Sequence, residues 1–286
     1  MRIVTYQSET GPRIAAVNKS DELVDLNQAD NSIPSCVKAF LAGGAEMQQR
    51  AEAALASGAG IDPTSVKLLA PIPNPQKVIC IGLNYADHAA ESGMEPPTEP
   101  VLFNKFPTTV AAHEDEITLP SVSQKVDYEA ELVAVIGKTC KQVSEADALD
   151  YVAGYCTGHD VSARDWQIGK PGGQWLSGKT FDGFAPFGPY LVTADEVGDA
   201  GNLKVQLRLN GETMQNSSTQ QLIFNIAELV SYLSQICTLL PGDVIFTGTP
   251  PGVGMARKPP VFLKPGDVCE VEIEKLGILR NKFVGE

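Results

Sequence analysis

The chain has 286 residues, enough for one large domain with a smaller one, and its 43% hydrophobic and 20% charged residues are ordinary for a globular protein. Its net charge of −13 argues against nucleic acid and anionic membranes as partners, because few cations are available to neutralise phosphates. The six cysteines include no Cys-x-x-Cys pair, which indicates reduced thiols. No apolar run reaches membrane-spanning length, and the first residues lack a signal-peptide pattern. We therefore expect a cytoplasmic protein, or one of the mitochondrial matrix if a presequence has been removed.

The first 70 residues combine short strands with one helical stretch. The strands are predicted at residues 2–6, 13–17 and 23–26, and the helix at residues 37–55, ended by the glycines at 58 and 60. The proline-rich run at residues 70–75 is a stiff connector. The pattern predicts a small N-terminal α+β domain over residues 1–70 and a main domain over residues 71–286.

The main domain is predicted to be rich in strands. Asn210-Gly211 lies between two extended runs and predicts a tight hairpin. Helices are expected at residues 84–92 and, as the one long amphipathic helix, at residues 224–240. The balance indicates a β-dominated α+β fold. Further strands are predicted at residues 78–81, 204–209, 244–247 and 268–273.

Three carboxylates are candidates for a metal site. The run at residues 126–136 is typical of a strand that enters an apolar core, and its period of two puts Glu129 and Glu131 on one face. Two buried carboxylates repel each other and lose hydration, so they need a counter-charge such as a hard cation. Asp160 follows a second strand-like run and is the third candidate. The alternative for a Glu-x-Glu pair is the solvated face of an edge strand.

Residues 173–180 (GQWLSGKT) match the Walker A spacing. That motif needs a following helix, whose N-terminus meets the phosphates. Residues 181–189 contain two prolines and two glycines, so no helix can begin there. We therefore exclude nucleotide binding.

Five motifs in order make the chain similar to the fumarylacetoacetate hydrolase (FAH) family from about residue 70 to the end. The HDVSARDWQ segment resembles most closely the FAH-domain-containing 2 branch. The resemblance implies an FAH-type β-sandwich roll as the core and a homodimer as the assembly. The motifs are IGLNYADHAAE (81–91), DYEAEL (127–132), HDVSARDWQ (159–167), GKTFD (178–182) and FTGTPPGVG (246–254).

The resemblance also implies the metal and its ligands. Family members bind Mg²⁺, or Mn²⁺ or Ca²⁺ in its place, through residues that correspond to Glu129, Glu131 and Asp160. About three of the six octahedral positions then stay free for a 2-oxo acid. Lys179 corresponds to the family's active-site lysine, which stabilises enolate charge or, with a depressed pKa, moves a proton. The alternative is an ordinary surface lysine.

Other candidate residues rest on the same resemblance. His88 and Glu91, three apart on a predicted helix, correspond to the family's His–Glu dyad, in which the imidazole takes a proton from water. The dyad's segment often acts as a lid. Arg164 and Gln167 are expected to grip a substrate carboxylate or carbonyl, although a structural salt bridge explains Arg164 equally well. Thr249 is expected to hold the substrate carboxylate through its hydroxyl and amide.

The predicted function is that of a Mg²⁺-dependent enzyme acting on a small 2-oxo or 2,4-dioxo acid through a metal-bound enolate. Oxaloacetate keto–enol tautomerisation is the first expectation. Acylpyruvate or fumarylpyruvate C–C hydrolysis and oxaloacetate decarboxylation are alternatives, and a non-catalytic scaffold with the same fold is an alternative of another class.

Three further residues complete the sequence-based expectations. His159 precedes a ligand but points the other way in an extended chain, so we interpret it as structural. His113 has no evident partner in the sequence. Many family members have Phe-x-Lys-Pro-Pro near residue 105, whereas Lys105 is followed here by Phe106 and Pro107, which leaves the choice of substrate open.

Overall fold

A computed structural model describes the backbone of all 286 residues and every side chain except that of Ser92. Strands dominate, and the described residues contain no helix long and apolar enough to cross a membrane. The strands are β1 (Arg2–Ser8), β2 (Gly11–Val17), β3 (Leu23–Asp25), β4 (Gly60–Ile61), β5 (Lys67–Leu69), β6 (Val78–Gly82), β7 (Val101–Lys105), β8 (Val110–Ala111), β9 (Glu116–Leu119), β10 (Val126–Asp127), β11 (Ala130–Ile136), β12 (Val152–His159), β13 (Ser162–Ala163), β14 (Ala185–Thr193), β15 (Lys204–Leu209), β16 (Glu212–Ser218), β17 (Val244–Phe246), β18 (Val268–Ile273) and β19 (Gly277–Gly285).

Helices are short and lie between the strands. The predicted β-dominated α+β class is confirmed. The α-helices are α1 (Leu26–Ala29), α2 (Val37–Ala42), α3 (Gly44–Ser57), α4 (Ala86–Ser92), α5 (Arg164–Gln167), α6 (Leu176–Lys179), α7 (Ala194–Val197) and α8 (Ile226–Ile236). Single turns of 3₁₀-helix cover Pro63–Ser65, Pro107–Thr109, Ala200–Asn202, Thr219–Gln221 and Gly254–Ala256, and a longer one covers Glu145–Tyr151.

Two sheets carry the core. The large one has the strand order β4-β3-β2-β1-β14-β12-β11-β17-β6-β7, with β5 beside β1 and β8 beside β14. The smaller one has the order β16-β15-β18-β19-β9. The Asn210-Gly211 hairpin joins β15 to β16 with both turn residues at positive φ (51° and 84°), as predicted.

The strand β11 shows how the two faces of the large sheet are used. Leu132 and Ala134 belong to the apolar core that includes the smaller sheet, whereas Val133 and Val135 pack in the core beneath α2 and α3. The side chains therefore alternate between two buried faces, as the period of two predicts.

The N-terminal strands belong to the large sheet. Arg2 and Ile3 of β1 pair with Val192 and Leu191 of β14, in antiparallel register. The first 70 residues and the remainder therefore share backbone hydrogen bonds along one sheet. A domain boundary at residues 70–75 stays a prediction.

Two predicted helices differ from the structure. The stretch 37–55 is two helices, α2 and α3, because Gly44 has a left-handed φ of 58° and interrupts the hydrogen-bonded ladder. The helix predicted at 224–240 is α8, with only 11 residues, and the 14-residue α3 is longer. Cys237 leaves the helical conformation because Leu239 exchanges backbone hydrogen bonds of 3.0 Å with Cys140.

One edge of the large sheet collects the ends of four neighbouring strands. In the order β12-β11-β17-β6, β11 is antiparallel to β12 and β17, while β17 is parallel to β6. The start of β11 therefore lies beside the carboxyl ends of the other three strands. Side chains that follow those ends converge on a single site.

Candidate metal centre and active site

Three carboxylates meet where β11 begins and β12 ends. Oxygen atoms of Glu129, Glu131 and Asp160, one from each side chain, all lie within 4.8 Å of one another, and all three residues are buried. The register explains the convergence, because Ala130 lies opposite His159 and the Asp160 amide donates a 2.9 Å hydrogen bond to the Glu129 carbonyl oxygen. The structure thus brings together the three residues predicted as metal ligands.

Two cations, Lys179 and Arg164, lie against this cluster. Lys179 Nζ donates to Glu129 Oε2 at 2.7 Å and to Asp160 Oδ2 at 2.9 Å, and Arg164 Nη2 lies 2.6 Å from Glu129 Oε1. Burial alone would lower the pKa of Lys179, but the carboxylates of Asp160 and Glu129 outweigh it and raise that pKa above its ordinary value. In the metal-free site the carboxylates therefore favour the charged ammonium. The surface-lysine alternative is wrong, because Lys179 is only 2% exposed.

A third cation, Lys105, lies beneath Asp160 and was missed as a site residue. Its Nζ lies 2.6 Å from Asp160 Oδ1 and donates to the carbonyl oxygens of Val161 at 3.0 Å and Phe184 at 2.6 Å. The only sequence signal for this role is the family's Phe-x-Lys pattern. Phe106, at which this chain departs from that pattern, does not displace Lys105 from the site.

The carboxylates differ in their electrostatic surroundings. Burial, together with the charges of Asp160 and Glu129, raises the pKa of Glu131 well above its ordinary value. Burial also acts on Glu129, but Lys179 and Arg164 outweigh it and lower the pKa of Glu129 to about 2. Glu131 makes no ion pair with a described cation, and the attraction of Lys179 is too weak to offset its burial and the neighbouring carboxylates.

The cluster fits a hard divalent cation. Asp160 Oδ1 accepts no hydrogen bond from the described residues, since Lys105 Nζ lies close to it but outside the hydrogen-bonding direction. The donor set is composed of carboxylate oxygens alone, which Mg²⁺ and Ca²⁺ prefer to nitrogen or sulfur. A cation between Glu129, Glu131 and Asp160 would neutralise the carboxylate that the protein's own cations leave unpaired.

The loop after β17 closes the site on one side. The Gly248 amide donates to Glu131 Oε2 at 2.8 Å. The next residue, Thr249, accepts a 2.9 Å hydrogen bond at Oγ1 from Gln215 Nε2, and Gln215 Oε1 accepts from the Ala130 amide at 2.8 Å. Gln215 is a second residue that the sequence did not reveal. Gln215 links the substrate-binding candidate Thr249 to the start of β11, the strand that carries two of the metal-ligand candidates.

The predicted dyad is formed within α4. His88 Nδ1 and Glu91 Oε2 lie 3.1 Å apart, and both side chains face the same cavity as the carboxylates. The Gly252 amide donates to Glu91 Oε1 at 3.0 Å and to Oε2 at 3.2 Å, which fixes the carboxylate through both oxygens. The helix ends at Gly93, whose φ of 63° suits a left-handed cap.

Arg164 and Gln167 lie on the one-turn helix α5 and both line the cavity. Arg164 Nη1 donates to Gln167 Oε1 at 2.9 Å, which leaves the Gln167 amide nitrogen available to a ligand. Arg164 Nε donates to Asp127 at 2.9 Å. Arg164 therefore makes structural ion pairs with Asp127 and Glu129 and still lines the cavity, so a substrate contact stays a prediction.

The cavity has a volume of about 510 Å³, with a charged floor and apolar walls. Phe103 and Trp175 pack edge to face at 5.6 Å, and the Lys179 ammonium lies 5.0 Å from the centre of the Phe103 ring. Further apolar wall residues are Met94, Ile168, Val253 and Met255. These walls exclude water from one side of the lysine and strengthen its interaction with the carboxylates.

Two histidines lie outside the cavity wall. His159 is buried, and burial lowers its pKa to about 3, so that it is neutral and packs against Phe283 at 5.9 Å. The sequence-based interpretation of His113 is wrong in one respect. His113 has partners, since its Nδ1 accepts from the Arg280 amide at 3.1 Å and its Nε2 lies 3.7 Å from Glu114.

The Walker-like segment is part of the same site. Its lysine, Lys179, points into the carboxylate cluster, and the element that follows is the strand β14. Trp175 of the segment packs over the Gly82 backbone, where an added Cβ would lie 2.3 Å from the ring. The segment is therefore followed by a strand instead of the helix that a phosphate-binding loop needs, and it lacks the open glycine cradle of such a loop.

The fold and the carboxylate cluster define the class of protein. Residues 77–284 match the family described as fumarylacetoacetate (FAA) hydrolase C-terminal. A fumarylacetoacetate hydrolase from Exiguobacterium antarcticum has a TM-score of 0.89 at 35% identity, with 100% of both chains covered. A 5-carboxymethyl-2-hydroxymuconate delta-isomerase from Mycobacterium smegmatis has a TM-score of 0.81 at 33% identity, again with complete coverage. The chain belongs to the fumarylacetoacetate hydrolase family and is an enzyme of that family.

Several relatives are similar over almost their whole length. The oxaloacetate tautomerase fahd2, mitochondrial, of Xenopus laevis is 49% identical over 99% of this chain and 90% of its own. The oxaloacetate tautomerase FAHD2A, mitochondrial, of Homo sapiens is 46% identical over 99% of this chain and 92% of its own. These relatives confirm the FAH-domain-containing 2 branch and exclude the scaffold alternative.

Proposed function

We propose that this enzyme is a Mg²⁺-dependent oxaloacetate keto–enol tautomerase. The observation that carries the proposal is the convergence of Glu129, Glu131, Asp160 and Lys179 on the floor of one cavity. The choice of substrate is supported by relatives of nearly full coverage that are named oxaloacetate tautomerases. Mg²⁺ held by the three carboxylates would supply a Lewis acid for the substrate oxygens.

Two groups on different parts of the cavity wall, Lys179 and the His88–Glu91 dyad, have different roles in the proposed proton transfer. Tautomerisation removes the proton from the enol oxygen and adds one to the neighbouring carbon, so negative charge builds up on the oxygen between the two events. The Lys179 ammonium is the candidate to stabilise that charge, and the apolar Phe103 ring beside it, which screens its field little, supports this role. The His88 imidazole, oriented by Glu91, is the candidate to hold or release the proton at carbon.

The distal end of a four-carbon acid needs polar partners near the floor. The Gln167 amide nitrogen, the unpaired N–H groups of Arg164 and the Thr249 hydroxyl are the candidates, since all three side chains line the cavity. Arg164 is held by Asp127 and Glu129, so its orientation is fixed before a substrate enters. Such preorganisation reduces the entropy lost on binding.

The size and apolar walls of the cavity favour a second candidate, acylpyruvate-type C–C hydrolysis. A cavity of about 510 Å³ leaves room beside a small acid for an acyl tail and an attacking water. The His88–Glu91 pair is the arrangement that would activate such a water. Decarboxylation would use the same enolate stabilisation without that water.

A substrate panel separates these reactions. The enol and keto forms of oxaloacetate, acetylpyruvate and fumarylpyruvate are each incubated with the enzyme, with Mg²⁺ or with a chelator. We expect rapid Mg²⁺-dependent loss of enol absorbance from oxaloacetate without release of CO₂ or pyruvate. Faster cleavage of an acylpyruvate would establish the hydrolase instead, and full activity in the chelator would exclude metal dependence.

The assembly and the compartment stay predictions. A homodimer is proposed from the family alone, and light scattering of the purified protein tests it. The mitochondrial names of the relatives support a mitochondrial location over a cytoplasmic one, and localisation of the tagged full-length protein tests that.

A further inference from the structure

Asp127 is a fully buried carboxylate at the back of the site. Its Oδ1 accepts hydrogen bonds from the amides of Tyr128 at 2.8 Å and Gly254 at 2.7 Å. Its Oδ2 accepts from the Met255 amide at 3.0 Å and from Arg164 Nε at 2.9 Å. Four donors are enough to satisfy both oxygens, so Asp127 has no capacity left to bind a metal or a substrate.

The groups that Asp127 binds connect it to the carboxylate cluster and to the His88–Glu91 dyad. Arg164 reaches from Asp127 to the metal-ligand candidate Glu129, with Nη2 and Oε1 2.6 Å apart. The loop held through Gly254 and Met255 begins at Gly252, whose amide holds Glu91 of the dyad. Asp127 is therefore the point at which the carboxylate cluster and the dyad share a support.

The charge of Asp127 matters as much as its hydrogen bonds. Arg164 is buried and divides its positive charge between Asp127 and Glu129. Without the Asp127 charge, the guanidinium would be balanced by Glu129 alone and would repel a cation entering the cluster. In a buried site this repulsion is screened only weakly.

We propose that Asp127 is a positioning residue, which balances Arg164 and anchors the loop at residues 252–255 so that Glu129 stays available to the metal and Glu91 stays on the dyad. Its effect on turnover rests on the proposed function, whereas its effect on metal binding does not. Asp127 touches neither substrate nor metal in this role and acts through its neighbours.

The test compares Asp127→Asn with the wild-type enzyme by calorimetric Mg²⁺ binding and by oxaloacetate tautomerisation. We expect Mg²⁺ affinity to fall about 10- to 100-fold, because the unbalanced charge of Arg164 repels the cation across a weakly screened, buried site. We expect KM to rise and kcat to fall, because the cluster and the dyad both lose their support. Wild-type Mg²⁺ affinity together with a wild-type KM would overturn the proposal.

A matched control is available at Asp243. This buried aspartate likewise accepts several hydrogen bonds, from Lys77 and the Leu240 amide, but lies outside the cavity. Asp243→Asn should reduce thermal stability and leave Mg²⁺ affinity and KM unchanged. An equal loss of Mg²⁺ affinity in this variant would show that general destabilisation explains the result, and would overturn the proposal.

Removal of both charges should restore Mg²⁺ affinity. Asp127→Asn combined with Arg164→Gln should recover Mg²⁺ affinity, because the unbalanced guanidinium is gone, while kcat stays low because the loop is still unsupported. If Asp127→Asn does not fold, the Arg164→Gln variant tests the charge balance by itself. Its Mg²⁺ affinity should be higher than that of wild type, and a lower affinity would overturn the proposal. If wild type fails to turn over oxaloacetate, only the proposed function falls, because the calorimetric results still test Asp127.

Discussion

The Lys105 ammonium lies 2.6 Å from the Asp160 carboxylate, and neither side chain is exposed to solvent. Burial lowers the pKa of Lys105, although the charge of Asp160 opposes that change. The carbonyl oxygens of Val161 and Phe184 accept the hydrogen bonds of Lys105 Nζ, so Lys105 joins the segment after β12 to the residue that precedes β14. The pair holds one oxygen of a metal-ligand candidate in place.

Lys105→Met should destabilise the metal-free protein by about 3–5 kcal/mol, because it leaves the buried Asp160 with one counter-charge fewer. Mg²⁺ should then raise the melting temperature of the variant by more than it raises that of wild type, since the ion replaces the missing charge. Thermal melts with and without Mg²⁺ measure both effects. Lys77→Met is the control, because Lys77 pairs with Asp243 away from the site and its loss should not change the Mg²⁺-induced shift.

Local patterns in the sequence were sufficient to predict the strand β11 and the shared face of Glu129 and Glu131, whereas their assignment as metal ligands also used the family resemblance. The period of two in β11 places Glu129 and Glu131 on one face whatever the strand packs against, so the prediction needed no tertiary information. Lys105 and Gln215 were missed because each reaches the site from far along the chain. Lys105 contacts Val161 across 56 residues, and Gln215 contacts Ala130 across 85.

The ends of α2 and α8 were likewise not predicted, because they depend on tertiary contacts and not on the local sequence pattern. The break between α2 and α3 depends on the left-handed conformation of Gly44, which the sequence permits but does not require. The early end of α8 depends on backbone pairing between Leu239 and Cys140. Neither interaction can be read from apolar periodicity, because each is set by what the segment packs against.

Glu131→Gln should stabilise the metal-free protein at neutral pH. The folded protein raises the pKa of Glu131 above the ordinary 4.5, so the stability linked to this group is present below pH 4.5 and is lost as the pH rises through the folded pKa. Glutamine cannot ionise, so the variant keeps this stability as the pH rises. The substitution should also abolish most of the Mg²⁺-induced rise in melting temperature. Denaturant unfolding across pH in a chelator measures the first effect.

Glu129→Gln is the opposing control for that measurement. The pKa of Glu129 is lowered to about 2, so its contribution to stability is present above pH 4.5 and is lost as the pH falls towards 2. The same chemical change two residues away should therefore destabilise the metal-free protein at neutral pH. Equal effects of the two variants, in either direction, would contradict the assignment of Glu131 as the uncompensated carboxylate.

His88→Ala should leave Mg²⁺ affinity intact, because His88 contacts Glu91 and none of the metal-ligand candidates. If the enzyme hydrolyses C–C bonds, the loss in kcat should reach about 10²–10⁴-fold, which is typical for removal of a general base. Decarboxylation needs no activated water and should tolerate the change better. Steady-state rates on oxaloacetate and acetylpyruvate measure the difference. Small, equal losses on both substrates would show that His88 is only a surface residue of α4.

Lys179→Met should remove turnover while leaving the carboxylate cluster able to bind Mg²⁺. Methionine keeps much of the side-chain volume beside Phe103 but deletes the charge, and with it the two hydrogen bonds to Glu129 and Asp160. Loss of a cation from an acidic cluster should tighten divalent-metal binding. Calorimetry with Mg²⁺ and thermal melts of the metal-free variant test this separately from activity.

The kinetic consequence should fall on kcat more than on KM, because the Lys179 charge is needed most when negative charge develops on the enol oxygen. Loss of one such electrostatic partner typically lowers kcat by about 10²–10³-fold. The same variant tests the Walker-like segment, since a phosphate-binding lysine would govern ATP affinity instead. Tautomerisation rates and ATP-dependent thermal shifts are measured in parallel on wild type and variant. Wild-type turnover in the variant, or an ATP-induced shift in wild type that the variant lacks, would contradict the role of Lys179 as the cation that stabilises the enolate.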